Sequence, residues 1–285
     1  MSNMVINTNV LAINSHRSLK SVGSSIARSS ERLSSGLRIN RAADDAAGLA
    51  ISEKMRSQIR GLNQASTNSQ DGISLIQTAE GALQETHNML QRMRQLALQA
   101  SNDTLQPEDR DKIALELTQI IAEIDGTSVK TEFNNKRLID GSMSTVPVWL
   151  QTGANAGQGI TFVIDSMNAA ALGISTVDTA VAGATTGISI ATTGAVGALS
   201  LLDAAIASVS RQRATLGAIQ NRLEHTIRNL DVSAENLAAS ESRIRDTDMA
   251  AEMMNMTKKN VLSQAAISML AQANQGPQNL IQLLR

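Results

Sequence analysis

The chain has 285 residues, 42% hydrophobic yet only 1% aromatic, with no Cys, no Tyr, one Trp and two Phe. A core of that size without aromatic packing units implies helices laid side by side on Ala, Leu, Ile and Met. Twenty-five Lys and Arg against 26 Asp and Glu leave a net charge of -1, so no global field selects nucleic acid or acidic lipid, and the lack of Cys excludes disulfides and thiolate metal sites.

The N-terminal stretch MSNMVINTNVLAINSHRSLKSV scatters polar residues among its apolar positions and lacks the apolar run of a secretory signal. No run of about 18 apolar residues occurs, so no spanning helix is expected; if the protein acts outside the cell, it leaves without a cleaved signal. From Val5, apolar or small residues recur at steps of three and four: Thr8, Ala12, Ser15, Leu19, Val22, Ile26, Ser29, Leu33 and Gly36. This is a heptad-like seam in which large and small residues alternate. Asp44 to Ala100 holds no Pro and predicts one helix of roughly 85 Å, with Met55, Ile59, Leu62, Ser66, Ser69, Ile73, Ile76, Leu83 and Leu90 along one stripe. Asn102, Asp103 and Pro107 break it, and a shorter helix from Glu108 to Asp125 carries Ile113, Leu117, Ile120 and Ile124 on one side.

Residues 127–178 change character. Phe133-Asn134-Asn135, the Val146–Leu150 run, GANAGQG and the alternation Ile160, Phe162, Ile164 are strand and hairpin signals. Residues 178–197 are rich in Gly, Ala and Thr and read as a turn or short insertion. The seam then resumes at Leu199, Leu202, Ile206, Val209, Arg213, Leu216, Gln220, Leu223, Ile227, Leu230, Ala234, Leu237, Glu241 and Ile244, the strongest periodic signal in the chain. After Asp246 a last amphipathic segment places Met249, Met253, Met256, Ser263, Ile267 and Leu270 on one face, and Gly276-Pro277 ends or kinks it. Helical seams at both termini with a β-like region between them predict a mainly α fold: a long antiparallel helical bundle with a small β-hairpin region and paired termini. Periodicity leaves open whether the seams close within one molecule or between copies.

No constellation of residues points to catalysis or to a cofactor. His16, His87 and His225 have no partner at helical ligand spacing, and no HExxH motif or Cys/His cluster exists. Asp44-Asp45 and Asp246-Thr247-Asp248 read as helix caps rather than as a cation site. GANAGQG lacks the Lys-Ser/Thr of a phosphate loop and precedes a strand pattern. Six Lys or Arg against Glu31 in the first forty-one residues lack interleaved aromatics, so a solvated face or a subunit contact accounts for them better than nucleic acid does. Met249, Met253, Met254 and Met256 fit core filling, or a surface that must accept different neighbours in turn.

Several long blocks resemble bacterial flagellin: RLSSGLRINRAADDAAGLAISEKMRSQIRGLNQAS from Arg32 to Ser66, NSQDGISLIQTAEGAL from Asn68 to Leu83, NLDVSAENLAASESRIRDTDMAAEM from Asn229 to Met253, and QAAISMLAQANQ from Gln264 to Gln275. LQTGANAGQGI from Leu150 to Ile160 is similar too. The family's Phe-Asn-Gly turn is here Phe133-Asn134-Asn135, and Asn is the non-Gly residue that best tolerates a left-handed backbone. The resemblance implies a structural, non-enzymatic subunit that self-assembles into the flagellar filament, in a short form without large outer domains. Residues 1–42 and 246–285 would form the two halves of an inner core domain, 43–177 and 198–245 a rod domain, and 178–197 a short variable turn. A hook–filament junction protein and a soluble helical binding module or chaperone are the competing readings.

The resemblance also implies partners. These are other copies of the chain, a flagellar export chaperone, hook-associated and cap proteins, and Toll-like receptor 5 of hosts, with no nucleic acid, membrane or cofactor. The family's receptor contact falls on Leu90, Gln91, Arg92, Leu96 and Glu116. Polymerisation is assigned to Val5, Leu19, Val22, Ile26, Leu33, Met253, Met256, Ile267, Leu270 and Leu284. Export would proceed through the flagellar secretion apparatus to an extracellular filament. Residues 1 to about 42 and about 246 to 285 are expected to fold only on assembly, because isolated seams of Val, Leu and Ile alternating with Thr, Ser and Gly bury too little to offset ordering of about 1–2 kcal/mol per residue.

Overall fold

The computed structural model describes the backbone of residues 8–175, 177–178, 188–189 and 195–283, and the side chains of 8–175 and 197–275. In chain order the elements are α1 (Val10–Ser35), α2 (Ala46–Ala100), α3 (Pro107–Lys130), β1 (Glu132–Phe133), β2 (Lys136–Arg137), α4 (Ser142–Thr145), β3 (Val148–Gln151), β4 (Gly159–Phe162), β5 (Val177–Asp178), β6 (Ile188–Ser189), α5 (Ala195–Arg245) and α6 (Met249–Leu283). Among the described residues the fold is mainly α, as the sequence predicts, with three two-stranded sheets: two antiparallel hairpins in the expected region and a parallel β5–β6 pair that the sequence did not announce. The chain divides into two compact units, one of residues 58–234 and one of 1–57 with 235–285.

The first of these units holds the hydrophobic core. Within it α2 and α5 run antiparallel, with polar rungs from Ser66 to Asp231 (3.2 Å), from Glu80 to Arg213 (3.6 Å) and from Arg94 to Asp203 (2.7 Å). α3 folds back along α2, starting from Pro107 at its first turn, where the missing N–H costs no hydrogen bond, with Glu108 and Asp109 facing the positive end of the helix dipole. Ile76, Leu83, Leu90 and Met93 of α2, Leu117 and Ile124 of α3, and Leu202, Val209, Leu216 and Leu223 of α5 form one fully buried cluster. Every α5 seam position from Leu199 to Ile244 named in the sequence reading is buried or half-buried. α3 extends to Lys130, beyond the expected Asp125, because Ser128 stays buried and its hydroxyl donates to the Ile139 carbonyl at 3.1 Å.

The β1–β2 turn places Asn134 at φ 50° and Asn135 at φ 60°, a left-handed pair suited to a tight two-residue hairpin. β3 and β4 pair antiparallel with Trp149 opposite Thr161 and Leu150 opposite Ile160. Their hairpin lies on α2 at its glycines: a Cβ on Gly61 would stand 2.9 Å from the Ala154 Cβ, and one on Gly72 would overlap the Leu150 side chain. The Asn68 side-chain amide donates to the Gln151 carbonyl at 3.2 Å, and Gln212 of α5 donates to Val163 at 3.2 Å. The Trp149 indole covers Gly159 diagonally across the strands, filling the place of a missing side chain. The 178–197 stretch lies largely outside the described residues; within it β6 pairs in parallel with β5.

In the second unit α1 and α6 pair antiparallel. The Asn9 side-chain amide donates to the Ala273 carbonyl at 2.7 Å, and Lys259 Nζ donates to Ser29 Oγ at 2.8 Å. Asn9 also caps α1, accepting from the Ala12 N–H at 3.0 Å, and Gly36 ends the helix in the left-handed conformation at φ 73°. Past that cap, Leu37 bridges Asp246, the Arg38 N–H donates to the Arg245 carbonyl at 2.6 Å, and the Thr247 N–H donates to the Gly36 carbonyl at 3.0 Å. Arg245 reaches Glu53 at 2.6 Å, and Arg56 reaches Glu241 at 3.1 Å. The paired aspartates act as caps: Asp45 accepts from the Gly48 N–H at 2.9 Å, and Asp248 accepts from Ala250 and Ala251 at 2.9 and 3.1 Å.

Candidate functional site

Two surfaces carry the candidate residues. On α2 and α3, Arg92 Nε and Nη2 both donate to Glu116 Oε1, at 2.9 and 2.7 Å, with both side chains open to solvent. Gln91 is exposed, its amide 3.1 Å from His87 Nε2. Leu90 and Leu96 point the other way and are buried in the bundle core. The exposed part of this set is therefore Gln91, Arg92 and Glu116, and the two leucines hold the helix beneath them in place.

The second surface belongs to α1 and α6. On α1, Leu19, Val22, Ile26 and Leu33 are half-buried along the stripe that includes Ser29, the residue bonded to Lys259. On α6 the covered stripe is Glu252, Met256, Lys259, Ser263, Ala266, Leu270 and Ala273. The face read from the sequence shares Met256, Ser263 and Leu270 with it, whereas Met249, Met253 and Ile267 are exposed. The packing selected a polar alternative: Glu252, buried, approaches Arg32 at 4.0 Å. Val5 and Leu284 lie outside the described residues.

Further exposed residues lie off the single face read from the seam, Met254 among them, which the sequence singles out only as one of a methionine cluster. Val10, Leu11 and Ile13 on α1 and Met254, Val261, Leu262 and Met269 on α6 are all open. At 100° per residue, Met254 and Val261 lie opposite the Met256–Ser263–Leu270 stripe, so α6 is apolar on more than one side. That spread of apolar residues around the whole helix was the available signal. Within α1 and α6 the buried side chains among the described residues are Ser29 and Glu252, both polar.

Among the described residues, two carboxyls titrate below their ordinary range. Backbone N–H groups of Arg41 and Asn40, donating to Asp44 at 3.1 and 3.2 Å, hold its carboxyl below the ordinary carboxylate range. The backbone and hydroxyl of Ser142 do the same for Asp140. Among the described residues no three His, Cys, Asp or Glu side chains converge to hold a metal ion, and no helix is long and apolar enough to cross a membrane.

Antiparallel helices around an apolar core, with exposed apolar residues on α1 and α6, define a mainly helical protein with surfaces open to association. The comparisons make this specific. Residues 6–144 match the bacterial flagellin N-terminal helical region and residues 199–284 match the bacterial flagellin C-terminal helical region. A flagellin of Bacillus subtilis (strain 168) is 54% identical over 304 aligned residues, covering 99% of this chain and 100% of that protein. A flagellin of Halalkalibacterium halodurans is 52% identical over 282 residues, with the same coverage of 99% and 100%. The fold is similar to that of a flagellar hook-associated protein of Vibrio parahaemolyticus, at a TM-score of 0.57 and 14% identity over 71% of this chain and 100% of that one. The chain belongs to the bacterial flagellin family and is a structural subunit of the flagellar filament, in a short form without a large outer domain.

Proposed function

We propose that this subunit polymerises through α1 and α6, whose open apolar residues are covered by neighbouring copies. One observation carries the reading: Met249, Met253, Met254, Val261, Leu262, Ile267 and Met269 are exposed on a single helix. Their burial in head-to-tail contacts that do not close into a ring would drive an open helical polymer. Leu19, Val22, Ile26, Leu33, Met256 and Leu270 then hold the α1–α6 pair together, while Met253 and Ile267 face the next subunit, with Val5 and Leu284 assigned to the same contacts. The subunit leaves the cell through the flagellar secretion apparatus, carried there by an export chaperone, and acts extracellularly between hook-associated and cap proteins. It performs no catalysis. The exposed Gln91, Arg92 and Glu116 form the contact for Toll-like receptor 5, with Leu90 and Leu96 supporting them. Seeded elongation of purified subunits, followed by light scattering and electron micrographs, tests the assembly face. Met254→Lys with Val261→Lys should abolish elongation, and normal filaments from that variant would remove α6 from the contact.

A further inference from the structure

Among the described residues the methionines differ widely in exposure, with Met55, Met89 and Met256 half-buried between two extremes. Met249, Met253, Met254 and Met269 on α6 are 47%, 54%, 69% and 63% exposed, whereas Met93, Met143 and Met167 in the bundle core are at 0%, 8% and 2%. Among the described residues, four of the seven large exposed hydrophobics on α6 are thus thioethers, the one apolar side chain that a mild oxidant converts to a polar one. We infer that Met249, Met253, Met254 and Met269 form an oxidation site through which hydroperoxides block incorporation of the free subunit. The inference rests on α6 being the assembly face.

The chemistry needs only the oxidant. The sulfur lone pair attacks the terminal oxygen of hydrogen peroxide, the O–O bond breaks and a sulfur–oxygen bond forms. The departing hydroxide takes the proton of the new S–OH group and leaves as water, so sulfur is oxidised by two electrons and peroxide is reduced by two. The product is a polar, chiral sulfoxide, returned to the thioether by methionine sulfoxide reductases, one for each epimer. Selectivity follows from access, because the core thioethers are shielded by the bundle while the α6 thioethers stand in water. A helix that must bury these side chains against another subunit then presents polar groups with no partners there, an expense that leucine at the same positions would not incur.

The test treats full-length monomer with hydrogen peroxide, maps oxygen addition by peptide mass spectrometry, and measures elongation on untreated seeds. Oxygen should enter at the four α6 methionines before Met93, Met143 and Met167, and elongation should fall about tenfold or more, because the sulfoxides must be buried in the subunit contact. Both sulfoxide reductases with a thiol reductant should restore it. A variant with Met249→Leu, Met253→Leu, Met254→Leu and Met269→Leu should elongate equally well before and after peroxide. Monomer oxidised at these positions that elongates at the untreated rate overturns the inference, as does activity that stays lost once mass spectrometry shows the thioethers restored. Filaments that oxidise at the same four sites as fast as monomer would show α6 uncovered in the polymer, and the assembly reading would fall with the inference.

Discussion

Leu150 of β3 occupies the space that a Cβ on Gly72 of α2 would fill. The glycine lets the hairpin lie on the helix at backbone distance, and the cost is a weak helix former in the middle of a long helix. Gly81, two turns and more further on, has nothing within 4 Å of its own Cβ position. The two sites therefore respond oppositely to alanine. Gly81→Ala should stabilise the protein by about 0.5–1 kcal/mol through helix propensity. Gly72→Ala should destabilise it by about 1 kcal/mol net, because overpacking costs of about 1–3 kcal/mol exceed that benefit. Urea unfolding of the two variants measures both signs.

The β1–β2 turn depends on Asn134 and Asn135 at positive φ. Asn135→Gly should be neutral or stabilising by a few tenths of a kcal/mol, since glycine is the preferred second residue of such a turn. Asn135→Val should cost about 1–2 kcal/mol, the penalty of a β-branched side chain in the left-handed region. Thermal unfolding of the pair should separate them by several degrees.

Asp44 is stabilised as a carboxylate by the Asn40 and Arg41 backbone N–H groups that it accepts from. Its carboxyl titrates below the ordinary value of 3.8, so its contribution to the folded turn is fully present above that value and is lost as pH falls through the lowered folded one. Hydrogen exchange at the Arg41 amide should accelerate in that acid window. Asp44→Asn should remove this pH dependence while leaving neutral-pH helix content unchanged.

The Arg92–Glu116 pair is exposed on both sides, so it adds little to stability. If the same groups anchor Toll-like receptor 5, Arg92→Ala should weaken activation by soluble monomer about 30-fold, the size of a hot-spot loss of about 2 kcal/mol. Its unfolding midpoint should stay within experimental error of the wild type. Unchanged receptor activation by the variant would sink the assignment.

The α5 seam was legible because its buried stripe is apolar at nearly every step of three or four, and the hairpin was legible from the alternation that sends Ile160, Phe162 and Ile164 inward. The covered stripe of α6 was not. It includes the buried Glu252 and the half-buried Lys259, whose partners Arg32 and Ser29 lie more than two hundred residues away in sequence, whereas the larger apolar residues Met253 and Ile267 point outward. A hydrophobic pattern cannot rank faces on a helix that is apolar on several sides. The leucines of the receptor set have the same difficulty in reverse. Leu90 and Leu96 share a run with exposed residues, and only helical phase separates core from surface.

The same polar stripe leads to the final expectation, that the chain ends fold on assembly. α1 and α6 pair through half-buried side chains, and their buried groups among the described residues are Ser29 and Glu252 rather than Leu or Ile. Ordering a residue's backbone costs about 1–2 kcal/mol, and a fully buried large aliphatic side chain returns about 1.5–3 kcal/mol, so a pair without such side chains is marginal alone. The bundle of α2, α3 and α5 has the opposite balance, with a cluster from Leu75 to Leu223 shielded from water. Neighbouring copies covering Met254, Val261 and Ile267 would supply the missing burial at the ends. Hydrogen exchange on free subunits should therefore find Val10–Ser35 and the helix beginning at Met249 weakly protected, with the seam positions of α2 and α5 inside residues 58–234 strongly protected. Filaments should protect all of them. Strong protection of α1 and α6 in monomer would refute coupled folding, and a chain lacking residues 246–285 that still elongates on seeds would show that the C-terminal helix is dispensable for polymerisation.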